Sequence, residues 1–196
     1  MRNDLDTIAD RHFSRTVLAV AALWFSVASG ANCADVYSEE SVKAAFVLRF
    51  TSYVTWPSTA PSAPLKIVVL DDEVMAGRLQ ALVESRSPAR RAFEVRSIRN
   101  LSEARDAQVL YIGARRGDSV APLPRSVRDS SLLTITSASD GLDAGAIINF
   151  RIVDQRVRFE VSLEAARRAG LGIGSELLSA AIRVQAAQPV ASKEQP

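Results

Sequence analysis

The sequence predicts a three-layer α/β domain with a mostly parallel sheet, an antiparallel hairpin at one edge and C-terminal helices. Three observations predict it. Leu65-Lys-Ile-Val-Val-Leu70 and Ala107-Gln-Val-Leu-Tyr-Ile112 are apolar runs of the kind found in strands buried on both faces. Helical patterns alternate with these strands, as in a parallel sheet built by crossover connections. Arg156-Val-Arg-Phe-Glu-Val161 instead alternates charged and apolar residues, the mark of an antiparallel strand with one wet face.

Each element follows from a local pattern. Ser38-Glu-Glu-Ser41 reads as an N-cap with acidic residues in the first turn. Val42, Ala45, Phe46, Phe50 and Tyr53 then recur at helical spacing, predicting a helix that stops near Trp56-Pro57. Ser58 to Pro64 is a loop, and the strand from Leu65 ends at Asp71-Asp72. Val74 to Ser85 has helical periodicity through Met75, Leu79, Leu82 and Val83. Phe93 to Ile98 is a strand, linked through Leu101 and Ala104 to the strand ending at Ile112. A polar segment leads to a short helix around Arg125 to Asp129, the strand Leu132 to Thr136 and the turn Ser139-Asp-Gly141. Ala146 to Phe150 and Arg156 to Val161 form a hairpin across Val153-Asp-Gln155. Leu163 to Ala169 and Ser175 to Gln185 are two helices separated by Gly170, Gly172 and Gly174. The domain is expected over residues 36–186, with a disordered tail over 187–196.

The first 31 residues read as a secretory signal peptide. Arg11 and Arg15 precede the uncharged run from Val17 to Ala28, and the small residues Ser29, Gly30 and Ala31 follow. A run of about 12 residues is short of the roughly 20 needed to span a bilayer. Gly30 and Asn32 are wrong for lipid modification of Cys33, so a soluble exported protein is expected. Cleavage would remove His12, the single histidine, and leave Cys33, the single cysteine, at the extreme N-terminus. That excludes Ser-His-Asp and Cys-His catalysis, His- or Cys-ligated zinc and an internal disulfide.

The charge balance is nearly neutral, with 24 Lys and Arg against 22 Asp and Glu. So small an excess is no nucleic-acid footprint. Asp71-Asp72 stands at the carboxyl end of a strand, where open α/β sheets place ligands; the simpler role is to end the strand and cap the next helix. Gly170-Leu-Gly-Ile-Gly174 follows a helix and lacks the Gly-Lys-Ser/Thr ending of a phosphate loop, so it reads as a helix terminator. Arg86, Arg90 and Arg91 around Pro88 form a small basic turn. No serine sits in a Gly-x-Ser-x-Gly elbow, and neither a cofactor nor a metal is expected.

Longer blocks carry a resemblance. Lys43-Ala-Ala-Phe-Val-Leu-Arg-Phe-Thr-Ser-Tyr-Val-Thr-Trp-Pro57 opens the domain, and the segment from Ile147-Ile-Asn-Phe through Arg156-Val-Arg-Phe-Glu-Val to Ala-Gly170 closes it, followed by Ser175-Glu-Leu-Leu178. Order and spacing resemble the YfiR/HmsC family of exported bacterial proteins. The resemblance implies a periplasmic α/β regulator, often dimeric, that binds the periplasmic sensor region of an inner-membrane diguanylate cyclase and holds it inactive. It also implies a second partner, an OmpA-like outer-membrane lipoprotein that sequesters the repressor. The positions implied for partner contacts are Ile148, Glu160 and Ala166, although Ala166 is smaller than the family's residue. Family members with cysteine pairs link repression to redox state; with one cysteine, this chain has no such intramolecular switch.

The rival reading is a periplasmic solute-binding or ligand-sensing protein. Its crevice would lie at the strand ends by Asp71, Asp72 and Gly113, with Trp56 as a ligand platform rather than a lid on the core. An enzyme working with carboxylates alone is a third, weaker reading.

Overall fold

The computed structural model describes residues 38–57, 64–85, 92–115 and 117–186. All of them fall within one compact unit, Val36–Pro196. The segment expected as a signal peptide, the expected loop over 58–63, the basic turn at Arg86, Arg90 and Arg91, and the tail beyond residue 186 lie outside the described residues.

Helix α1 (Glu39–Phe50) starts where Ser38 accepts a hydrogen bond from the Ser41 amide at 3.2 Å. Glu39 pairs with the buried Lys43 one turn on, at 2.6 Å. The helix ends earlier than its periodicity suggests. Thr51 Oγ1 donates to the Leu48 carbonyl at 2.7 Å, and the chain turns through Ser52 and Tyr53 into strand β1 (Val54–Thr55). β2 (Leu65–Leu70) is followed by α2 (Glu73–Glu84), capped by Asp72, whose Oδ1 accepts from the Met75 amide at 2.9 Å. Then come β3 (Phe93–Ile98), a 3₁₀ turn at Leu101–Ala104, β4 (Val109–Ile112), α3 (Arg125–Arg128) and β5 (Leu133–Thr136).

The hairpin consists of β6 (Ile148–Val153) and β7 (Arg156–Ser162). Asp154 and Gln155 turn it, both left-handed at φ 48° and 58°, matching the twist of a tight hairpin. α4 (Leu163–Arg168) ends at Gly170, with φ +70°. The Gly170 amide bonds the Arg167 carbonyl and the Leu171 amide bonds the Ala166 carbonyl, a Schellman termination. β8 (Gly172–Ile173), α5 (Ser175–Ala180) and β9 (Arg183–Gln185) complete the described chain. The second predicted C-terminal helix therefore stops at Ala180, and its last residues form a strand.

Among the described residues the main sheet has the order β3-β2-β4-β5-β6-β7-β9. β3 through β6 run parallel, β7 is antiparallel to β6, and β9 joins β7 in parallel. β1 and β8 form a separate antiparallel pair, Val54 opposite Ile173. This is the predicted mixed α/β architecture. On one sheet face Phe46 and Phe50 of α1 meet Phe150 and Phe159 of the hairpin, within a core that includes Met75 and Leu79 of α2. The other face is covered over β2 and β4 by the 3₁₀ turn and α3, which supply Leu101, Ala104 and Val127.

Tyr111 is only 1% exposed. Burial pushes its phenol up to about 12, while the Ser137 hydroxyl at 3.4 Å pulls weakly the other way. Unfolded, the phenol ionises near pH 10, so between pH 10 and 12 the unfolded chain has released a proton that the folded one retains. Its contribution is therefore complete below pH 10 and lost as pH rises through about 12, costing on the order of 2–3 kcal/mol. Urea unfolding of wild type and Tyr111→Phe from pH 8 to 12 should show curves that diverge only above pH 10. Parallel curves would contradict this account.

Candidate functional site

At the carboxyl ends of β2 and β4 the two backbones close on each other. A Cβ placed on Gly113 would come within 2.8 Å of the Asp71 carbonyl and 2.9 Å of the Leu70 carbonyl, so only glycine allows this approach. The Gly113 amide donates to the Leu70 carbonyl at 2.8 Å. Asp72 spends its carboxylate on capping α2, and Asp71 is exposed, in the left-handed region at φ 55°. Trp56 is elsewhere. It is 8% exposed, belongs to the main core, and borders a cleft of about 450 Å³ with Leu101, Gln108 and Leu132, at the amino ends of β4 and β5. Asp71, Asp72 and Trp56 thus do not form one crevice. They lie at opposite ends of the parallel strands, and Trp56 serves as a lid on the core.

The positions implied for partner contacts lie on or beside the hairpin. Ile148 pairs with Ile135 of β5 and Val161 of β7 and is fully buried; Ala166 on α4 is 1% exposed. Neither offers surface to a partner in this conformation. Glu160 differs. Its side chain retains 13% exposure, its Oε2 accepts from Asn149 Nδ2 at 3.5 Å, and its Oε1 lies 3.9 Å from Arg183 Nη1. Ile148 and Ala166 therefore support the strand and helix flanking Glu160.

Cross-strand register assigns the two hairpin faces. Phe150 opposite Phe159 and Ile152 opposite Val157 turn toward α1. Asn149 opposite Glu160, Arg151 opposite Arg158 and Val153 opposite Arg156 share the other face, and Arg183 joins Glu160 there from β9. Arg151 also donates to the Ser139 carbonyl at 3.1 Å. The alternation in β7 alone puts Arg156, Arg158 and Glu160 on one face. Arg151 and Arg183 carry no such local signal, because their places depend on pairing with β7 and residues 183–185 read as helix.

Among the described residues no group of three or more His, Cys, Asp or Glu side chains is placed to hold a metal ion, and no helix is long and apolar enough to cross a membrane. Fold and site together define a three-layer mixed α/β domain whose hairpin carries Arg151, Arg156, Arg158 and Glu160 on one face, joined there by Arg183 of β9. Residues 40–182 match the YfiR/HmsC-like family model. The chain belongs to that family, a regulatory, non-catalytic family of periplasmic proteins. No curated protein matches the chain.

Proposed function

We propose that this protein is a periplasmic repressor that binds the sensor domain of an inner-membrane diguanylate cyclase and restrains cyclic-di-GMP synthesis, and with it biofilm and exopolysaccharide output. The observation that carries the reading is family membership across residues 40–182, from the first turn of α1 to the residue before β9. An OmpA-like outer-membrane lipoprotein is the second proposed partner. It would release the cyclase by mass action, since a competing binder acts only by lowering the free repressor. Glu160 is the residue proposed to meet a partner, through the exposed part of its carboxylate.

Deleting the gene in a strain that possesses the cognate cyclase is expected to raise cyclic-di-GMP, and restoring the gene to lower it again. Unchanged cyclic-di-GMP would sink the proposal. Glu160→Lys is expected to change affinity by at least about tenfold for the partner that Glu160 meets, weakening it where the carboxylate pairs with a partner cation and strengthening it where the partner presents carboxylates. Glu160→Gln keeps an acceptor for Asn149 and serves as the folded control. If both variants bind both partners as wild type does, Glu160 is not a contact.

A further inference from the structure

The whole chain is close to neutral, yet one face of the hairpin is not. Arg151, Arg156, Arg158 and Arg183 share it with the single carboxylate of Glu160. Arg156, Arg158 and Arg183 are exposed and Arg151 is half-buried. Among the described residues the one ion pair on this face is the long contact between Glu160 and Arg183. Arg151 and Arg158 stand directly opposite each other across the antiparallel ladder, an arrangement of like charges that weakens a sheet. Arg151 ties the hairpin to the Ser139 carbonyl, but among the described residues Arg156 and Arg158 have no side-chain hydrogen bond or ion pair, and this side of the hairpin turns away from the aromatic core. The hairpin also reaches past its neighbours. β5 ends opposite Asn149, and β9 pairs only with Glu160 to Ser162, so Arg156 to Arg158 have a strand partner on one side alone.

We infer that this four-arginine face is the docking surface for a carboxylate-rich surface of a protein partner. The charge complementarity is specific. Guanidinium groups recognise carboxylates through paired, charge-assisted hydrogen bonds. An acidic partner would also neutralise the opposed Arg151 and Arg158, recovering on binding the repulsion that the free protein bears. The inference rests on the proposed role as a partner-binding repressor, and identifies the surface that the role would use.

The test is titration calorimetry of the protein as purified from the periplasmic fraction with the purified periplasmic region of the cyclase and, separately, with the soluble domain of the lipoprotein. Arg151→Glu/Arg158→Glu is expected to weaken at least one of these complexes by about 100-fold, and raising salt from 50 to 500 mM to weaken the wild-type complex while leaving the variant's residual binding nearly unchanged. Arg158→Gln removes the opposed charge without reversing it. It should melt at or above the wild-type temperature while binding several-fold more weakly, which separates lost docking from lost folding. Wild-type binding to a partner, with the charge-reversed protein binding both partners equally tightly, would overturn the inference and leave the repressor reading standing. If wild type binds neither partner, the repressor reading falls and takes this inference with it. Vesicles of phosphatidylglycerol form the last arm. Arginine-dependent binding to vesicles but to neither protein would make the face a lipid surface and overturn the inference.

Discussion

Phe50→Ala is expected to remove about 3–5 kcal/mol of unfolding free energy. Phe50 is 1% exposed, and its ring centroid lies 5.7 Å from Phe46, 5.7 Å from Phe150 and, edge-on, 4.9 Å from Phe159. Truncation removes buried apolar area and also the aromatic pairs, each worth about 0.5–1.5 kcal/mol beyond area. It also leaves a cavity that α1 and the hairpin cannot both collapse into. A domain's whole stability is about 5–15 kcal/mol, so the variant should be partly unfolded at physiological temperature. Urea titration would show the midpoint falling with the slope unchanged. A loss under about 1 kcal/mol, the scale expected of a surface change, would mean that these rings do not join helix to hairpin.

Ile148→Ala is expected to cost about 2–5 kcal/mol, because the side chain is fully buried between Ile135 and Val161 in the ladder. The consequence for function is specific. Affinity for a partner, measured per folded molecule, should stay at the wild-type value, whereas total activity falls with the folded population. An Ile148→Ala protein with an unchanged melting temperature and a weakened complex would instead make Ile148 a contact residue, exposed by a rearrangement on binding.

Patterns confined to neighbouring residues were legible. Ser38 caps α1 and Asp72 caps α2 as their side-chain chemistry suggests, and the β-branched run from Leu65 to Leu70 lies paired on both sides in the sheet. Gly170 terminates α4 as expected of a glycine after a helix. Boundaries were less legible where a local pattern met a competing tertiary bond. The helical spacing that continues to Tyr53 loses to the turn that sends Val54 and Thr55 into pairing with Ile173 and Gly172. Ser175 to Gln185 reads as one helix, but β7 offers the outer side of Glu160 to Ser162, and Arg183 to Gln185 take it as a strand.

The candidate sites divide along the same line. The sequence alone determined the alternation of β7, and so that Glu160 shares its face with Arg156 and Arg158, because side chains in a strand alternate regardless of what lies beside it. It also determined that one cysteine permits no disulfide within the chain. Only the tertiary structure decided that Arg151 opposes Arg158, that Arg183 reaches Glu160, and that Trp56 lies at the far end of the strands from Asp71 and Asp72. These are relations between residues on different elements, set by hydrogen-bond register and core packing. No local periodicity carries them.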